Sequence, residues 1–241
     1  MSSKSKIILA LDSDNFLNIK KLLNTISKDI YGVKVGYQFF FNFNERGYEF
    51  LKRKKLKIFL DLKLHDIPNT VLNGIKALKK FKPDMITVHI SGGLEMLKYA
   101  KKISKNIKVI GVSALTSLNN QNIKLIYNRT NSNKLVKEMI NIALKSKIDG
   151  IVCSPKEITL VKKLSKNRLI VITPGIRPST NLMKTDDQKR TMSPKEAIKL
   201  GANYIVIGRP ILNSKNPKRL VRLINEQILW RKFNKYKNLW Y

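Results

Sequence analysis

The sequence predicts a single (β/α)8 barrel, on three observations. Eight short runs of β-branched and other apolar residues alternate with amphipathic stretches from end to end. Most of these runs are continuously apolar, as expected of parallel strands covered by helices. The length, 241 residues, is that at which eight strand–helix units close on themselves. A doubly wound open sheet is the competing architecture, but no Gly-x-Gly-x-x-Gly turn follows the first run.

The elements follow in order. Strand one, 7–11, is wholly apolar and ends on Asp12; Leu17, Leu22, Leu23 and Ile26 then mark one helical face. Strand two, 32–35, carries Lys34, and strand three, 57–62, runs through an apolar core into Asp61. Pro68 suits the first turn of the next helix, with Asn69 and Thr70 close behind. Strand four, 85–89, ends on His89, and strand five, 109–115, leads into Thr116. Val136, Met139, Ile140 and Ala143 define the helix before strand six, 150–153. Strand seven, 169–173, precedes Pro174-Gly175-Ile176-Arg177, and strand eight, 204–207, precedes Gly208-Arg209. No repeat, low-complexity linker or break in composition divides the chain. One domain over 1–241 is expected, with a basic, aromatic tail over 231–241.

The chain has 48 Lys and Arg against 16 Asp and Glu, a net charge of +32. Such a charge by itself suggests nucleic acid or an anionic membrane surface. Its make-up argues otherwise: 38 of the basic residues are Lys and 10 are Arg, beside 29 Ile, 23 Asn and 7 Ala, a skew toward A/T-rich codons. Phosphate-gripping surfaces favour arginine, whose planar fork binds bidentately. The lysines are instead spread along the chain, as in Lys20-Lys21, Lys79-Lys80 and Lys162-Lys163. We assign the charge to coding bias on a tolerant surface and expect no specific nucleic-acid partner.

A hydrophobic fraction of 43% excludes wholesale disorder. The lone Cys153 excludes a disulfide framework or a cysteine-based zinc site and suits a reducing compartment. No apolar run reaches the roughly 18–20 residues that span a bilayer, and the first residues lack a secretion-signal pattern. A soluble, cytoplasmic protein without a membrane partner is expected.

Active sites in this architecture form at the carboxyl ends of the strands. Read in order, those ends carry Asp12, Lys34, Asp61 with Lys63, His89, Thr116, Arg177 and Gly208-Arg209. Charged residues in apolar strands are costly unless paired or functional, and here both signs recur from tip to tip. The densest segment runs from Asp61 to Thr70. Asp61 and Lys63, two apart on a strand, are expected to leave on one face into the barrel mouth. A lysine flanked by carboxylates stays charged at neutral pH, which makes it a poor Schiff-base nucleophile and a good proton donor.

Asp61-x-Lys63-x-x-Asp66-Ile67-Pro68-x-Thr70 resembles the signature of the orotidine 5′-phosphate decarboxylase family in its bacterial form. The likeness extends over Leu9 to Asp12, Lys34-Val35-Gly36, Thr87 to Gly93, Leu115-Thr116-Ser117, Thr173 to Pro178, Asp187-Gln188 and Ile207 to Pro210. The Asp-x-Lys-x-x-Asp core alone leaves open a magnesium-dependent sugar-phosphate lyase or isomerase of the same barrel suprafamily. The Ile-Pro-x-Thr continuation, with the late Gln and Gly-Arg, directs the reading to the decarboxylase.

The resemblance implies decarboxylation of orotidine 5′-phosphate to UMP without cofactor or metal, the last step of pyrimidine biosynthesis. It implies that Lys63 protonates C6, that Asp61 sits beside the substrate carboxylate, and that Lys34 holds Asp61 and a ribose hydroxyl. Asp12 would accept from the ribose, and Thr116 would address the pyrimidine edge. Gly208 and Arg209, at the start of the last helix, would bind phosphate. Gln188 would bridge phosphate and pyrimidine from a closing loop over 178–190, with Arg177 at its base. That loop contains no glycine, a departure from the family pattern. The resemblance also implies a homodimer in which Asp66 and Thr70 reach into the partner's site.

The remaining candidates read as structural. His65 and His89 are expected to pack or hydrogen-bond, and Cys153 to lie in the core. Two histidines and one cysteine without clustered spacing give no dedicated metal site. The aromatic residues Trp230, Phe233, Tyr236, Trp240 and Tyr241 are expected to pack a terminal helix rather than stack on nucleic acid.

Overall fold

The computed structural model describes residues 5–129, 131–178 and 192–234, with side chains through 229. Its strands are β1 (Ile7–Ala10), β2 (Gly32–Val35), β3 (Lys57–Leu64), β4 (Met85–His89), β5 (Lys108–Val112), β6 (Gly150–Val152), β7 (Ile170–Thr173) and β8 (Tyr204–Ile207). They pair in parallel in chain order, and β8 returns to β1 to close a barrel. The helices are α1 (Phe16–Ile26), α2 (Tyr37–Arg53), α3 (Pro68–Leu78), α4 (Gly93–Ser104) and α5 (Asn120–Tyr127) in the first half. In the second half come α6 (Ser132–Lys145), α7 (Ile158–Ser165), α8 (Pro194–Leu200), α9 (Arg209–Leu212) and α10 (Pro217–Asn234).

Local chemistry starts the helices where the sequence changes character. Asn15 caps α1 by accepting from the Asn18 N–H at 3.0 Å, and Asn131 does the same for α6 through Lys134. Ser193 and Glu196 form a reciprocal capping box on α8. Pro68 opens α3 at a position where a missing N–H costs nothing. At the amino ends of the strands, side chains take up backbone donors that the ladder leaves free. Asp84 accepts from Ile58 N at 2.9 Å, Asp149 from Val109 N at 2.8 Å and Asn203 from Val171 N at 2.9 Å.

Two apolar layers hold the barrel. The larger lies between strands and helices and includes Ile7, Leu9, Val33, Leu60, Val88 and Ile205. The smaller fills the interior with Ile8, Ala10, Phe59, Met85, Ile110, Ile172 and Val206. Two residues further along the inward-facing phase of β1, β3 and β4 stand Asp12, Asp61 and Thr87. The apolar plug therefore gives way to polar side chains at the carboxyl end.

Five strands differ from the expected bounds: β1 and β6 end one residue earlier, β7 begins one residue later, and β3 and β5 depart further. β5 stops at Val112 because Ser113 turns both its N–H and its hydroxyl onto the Val152 carbonyl, at 3.2 and 3.0 Å. β3 runs on to Leu64, but its pairing with β4 slips between Leu60 and Leu64. The last helix is α10, and Gly208-Arg209 instead begin the single turn α9, so the expectation of a start on the last helix is corrected. Of the tail over 231–241, only the α10 backbone through Asn234 lies within the described residues.

Candidate active site

Four charged residues from three strands converge at the carboxyl-terminal mouth. Lys34 Nζ on β2 lies 3.1 Å from Asp12 Oδ1, just past β1, and 3.5 Å from Asp61 Oδ2 on β3. Lys63 Nζ lies 2.9 Å from that same Asp61 oxygen. The row thus alternates in sign: Asp12, Lys34, Asp61, Lys63. Gly36 makes room for it, since a Cβ there would come within 2.9 Å of the Lys34 ammonium.

Asp61 is 7% exposed, and burial pushes its carboxyl up. Lys34 and Lys63, with hydrogen bonds from Lys63 and Thr87, outweigh that push and hold it below the usual carboxylate range. Asp61 is therefore a buried, fixed anion between two cations. Such a group costs stability unless its partners stay in place.

The expectation that Asp61 and Lys63 share a face by regular strand alternation needs revision. Lys63 has φ +47°, and among the described residues it is the one strand residue with a positive φ. The two side chains meet through an irregularity in β3, not through a two-residue period. Thr87 Oγ1 on β4 accepts from the Lys63 N–H at 2.7 Å and donates to Asp61 Oδ1 at 3.1 Å. Tyr37, opening α2, donates from its hydroxyl to the Leu62 carbonyl at 2.9 Å and places its ring 5.8 Å from Lys63 Nζ. Neither residue had a role assigned from sequence. Thr87, a polar residue inside an apolar strand, was the available signal; Tyr37 offered none beyond its place after Gly36.

The other expected residues lie around this row. Asp66 and Thr70 are exposed at the start of α3, where Asp66 Oδ1 accepts from the Ile67 N–H at 2.7 Å. Among the described residues no ion-pair partner of Asp66 is found, so the row within one chain does not include it. Thr116 is half-buried in the turn after β5. Gly208 approaches the β1 end so closely that a Cβ would lie 3.3 Å from Ala10 Cβ and 3.9 Å from Asp12 Oδ2. Arg209 follows it, exposed at the same rim. Arg177 donates from its backbone N–H to the Met192 carbonyl at 3.0 Å, and Ile176 bridges to Met192 in parallel. That bridge joins residues that flank the segment over 178–190. Gln188 and the segment from 179 onward lie outside the described residues.

His65 and His89 face each other with ring centroids 5.2 Å apart. Burial, with His65 and then Lys63 nearby, holds the His89 imidazole below its ordinary value against the opposing pull of Asp61. Cys153 is buried just past the end of β6, and burial pushes its thiol up, away from the reactive thiolate. Among the described residues no group of three or more His, Cys, Asp or Glu is placed to hold a metal ion. No described helix is long and apolar enough to cross a membrane.

Fixed charges of alternating sign, held at the open end of a barrel, define an enzyme that works by preorganised electrostatics on a small charged substrate. Over residues 5–224 the chain matches the orotidine 5′-phosphate decarboxylase / HUMPS family, and it belongs to that family. It is 40% identical over 216 residues to the orotidine 5′-phosphate decarboxylase of Streptococcus sanguinis, covering 87% of this chain and 92% of that one. It is 43% identical over 225 residues to the enzyme of the same name from Wigglesworthia glossinidia brevipalpis, covering 91% and 96%. The crystal structure of orotidine 5′-phosphate decarboxylase from Lactobacillus acidophilus is similar with a TM-score of 0.78 at 33% identity, covering 94% and 99%.

Proposed function

We propose that the chain decarboxylates orotidine 5′-phosphate to UMP, the last step of pyrimidine biosynthesis. The observation that carries the reading is the row Asp12–Lys34–Asp61–Lys63, with a buried carboxylate and an ammonium 2.9 Å apart at the mouth. The magnesium-dependent sugar-phosphate reading is not favoured, because the relatives at 40% and 43% identity are decarboxylases by name.

In this reading the substrate carboxylate lies against Asp61. Two carboxylates about 4 Å apart repel by roughly 4 kcal/mol at an effective dielectric near 20. As the C6–carboxylate bond breaks, its electron pair stays on C6, carbon dioxide leaves, and the repulsion is relieved. The Lys63 ammonium stabilises the developing negative charge and then delivers its proton to C6. Water later restores the proton to Lys63. Lys34 and Asp12 hold the ribose hydroxyls, Thr116 meets the pyrimidine, Gly208 and Arg209 bind the phosphate with Arg177 contributing, and Gln188 bridges phosphate and pyrimidine.

The proposal includes a homodimer in which Asp66 and Thr70 complete the partner's site. Supporting it, Asp66 lacks an ion-pair partner among the described residues, and large apolar side chains stand bare nearby. Ile67, next in sequence, is 67% exposed, and Phe41, stacked on Tyr37, is 73% exposed. A second copy covering this rim would bury them. A cytoplasmic location, suited to a protein with one buried thiol, also belongs to the proposal.

The test is ultraviolet-monitored conversion of orotidine 5′-phosphate to UMP by the purified chain in excess EDTA. Turnover is expected; a folded protein that leaves the substrate intact would contradict the reading.

A further inference from the structure

The irregularity in β3 is where the backbone departs from a regular strand, and it carries Lys63. Between Leu60 and Leu64 the pairing with β4 slips, so the peptide groups from Asp61 to Lys63 fall out of the ladder. A slipped segment leaves backbone donors and acceptors that must be satisfied elsewhere. Two side chains do so. Thr87 Oγ1 takes the Lys63 N–H at 2.7 Å, and the Tyr37 hydroxyl takes the Leu62 carbonyl at 2.9 Å. Between these two bonds sits the Leu62–Lys63 peptide, next to the residue with φ +47°. Five other lysines share such a φ, but all lie in turns or at helix ends; inside a strand the conformation needs surroundings that enforce it.

We infer that Tyr37 and Thr87 are positioning residues that clamp the Leu62–Lys63 peptide from opposite neighbours and so aim the Lys63 ammonium. Each group is used for a definite purpose. The Thr87 hydroxyl bonds the Lys63 backbone and the Asp61 carboxylate together, so one side chain fixes both members of the closest ion pair in the row. The Tyr37 ring also flanks Lys63 Nζ at 5.8 Å, within the range of cation–π attraction. Tyr37 is half exposed as a whole, while the bond from its hydroxyl to Leu62 is partly buried and fixes the peptide. Loss of either bond would let the peptide relax toward a regular strand and displace the ammonium. A displacement of about an ångström from productive geometry is enough to slow turnover severely.

The inference rests on the decarboxylase reading for its kinetic readout, and a structural readout stands beside it. The variants are Tyr37→Phe, which keeps the ring, Thr87→Val, which keeps the shape, and Thr87→Ser, which keeps the hydroxyl. Melting curves and size-exclusion chromatography check that each is folded and assembled like the parent. We expect Tyr37→Phe to lower kcat about 5–10-fold and Thr87→Val about 100-fold, both with KM little changed. Thr87→Ser should regain most of the loss. Thr87→Val should also move the acid limb of kcat to higher pH, because Asp61 loses a hydrogen bond that favours its charged form. Parent-like kcat in both Tyr37→Phe and Thr87→Val, a loss confined to KM, or a Thr87→Ser as slow as Thr87→Val would overturn the inference. Crystal structures of the Tyr37→Phe/Thr87→Val double variant and the parent decide it without reference to activity. Lys63 leaving the positive-φ region supports the clamp, and an unchanged Lys63–Asp61 pair overturns it. Absence of turnover in the parent would count against the decarboxylase reading alone, with the crystal structures still deciding the clamp.

Discussion

The Lys63 ammonium donates to the Asp61 carboxylate at 2.9 Å even though the strand between them is out of register with its neighbour. The pair depends on fixed geometry more than on affinity of the two charges. Asp61 is buried and would raise its own pKa if left alone; two lysines and Thr87 keep it charged. The site consequently holds an anion where a substrate anion would approach, with a proton donor at its side. The predictions below test separate parts of this arrangement.

Replacing Lys34 with Met removes the first opposing charge on Asp61. With Lys34 present the folded-state pKa of Asp61 is depressed, so its charge, and the stability gained from it, persist until pH falls below the ordinary carboxylate range. Without Lys34 burial gains weight, the carboxyl rises, and both the acid limb of kcat and the onset of acid unfolding move to higher pH. Rate and melting profiles between pH 3 and 7 check this (roughly the range spanning ordinary carboxylate and imidazole values). An unmoved acid limb would show that Lys34 does not hold the charge.

His89 contributes a second pH dependence, of opposite origin. Its imidazole is kept below its ordinary value by burial, His65 and Lys63, so the unfolded chain binds a proton that the folded chain refuses. Stability is then lost as pH falls from the ordinary imidazole value, about 6.5, toward the lower folded value. His89→Gln should melt with less change between about pH 7.5 and 5.5 than the parent. Equal slopes in the two proteins would remove His89 as the cause.

Cys153 is fully enclosed, and burial, aided by Glu157, disfavours its thiolate. A thiol-specific chromogenic reagent should find no reactive group in the folded protein and one equivalent after unfolding in guanidinium. Fast labelling under native conditions would mean that the β6 end opens readily.

The exchanged residues of the proposed dimer predict complementation. Lys63→Ala and Asp66→Ala should each be inactive alone. Mixed by co-refolding in equal amounts, half of the dimers would be hybrids, each with one intact site, giving about a quarter of the parent's activity. No recovery, with hybrids demonstrated by native mass spectrometry, would place Asp66 in its own chain's site or in none.

Much of the barrel was legible in the sequence because continuous apolar runs of β-branched residues have few other uses in a chain of this length. The bounds of β2, β4 and β8 follow from the sequence without change. The end of β5 was read three residues too late because Ala114 and Leu115 continue the apolar pattern, and only the turn of Ser113 onto Val152 ends the strand. At the site, Asp12, Lys34 and Asp61 could be placed by period alone. Lys63 could not, because its position depends on a slip in pairing and on Thr87 and Tyr37, contacts between elements that no local pattern encodes. Asp66 and Thr70 illustrate another limit: their proposed purpose lies on a second copy of the chain.

The most direct test of the account is single-turnover decarboxylation by Lys63→Ala beside the parent, with UMP affinity measured on both. The account predicts that the variant binds UMP within a few-fold of the parent while turnover falls by about 10⁴-fold or more, since Lys63 supplies both the proton and the charge at C6. Turnover within about tenfold of the parent would contradict it, because the row would then act without its proton donor.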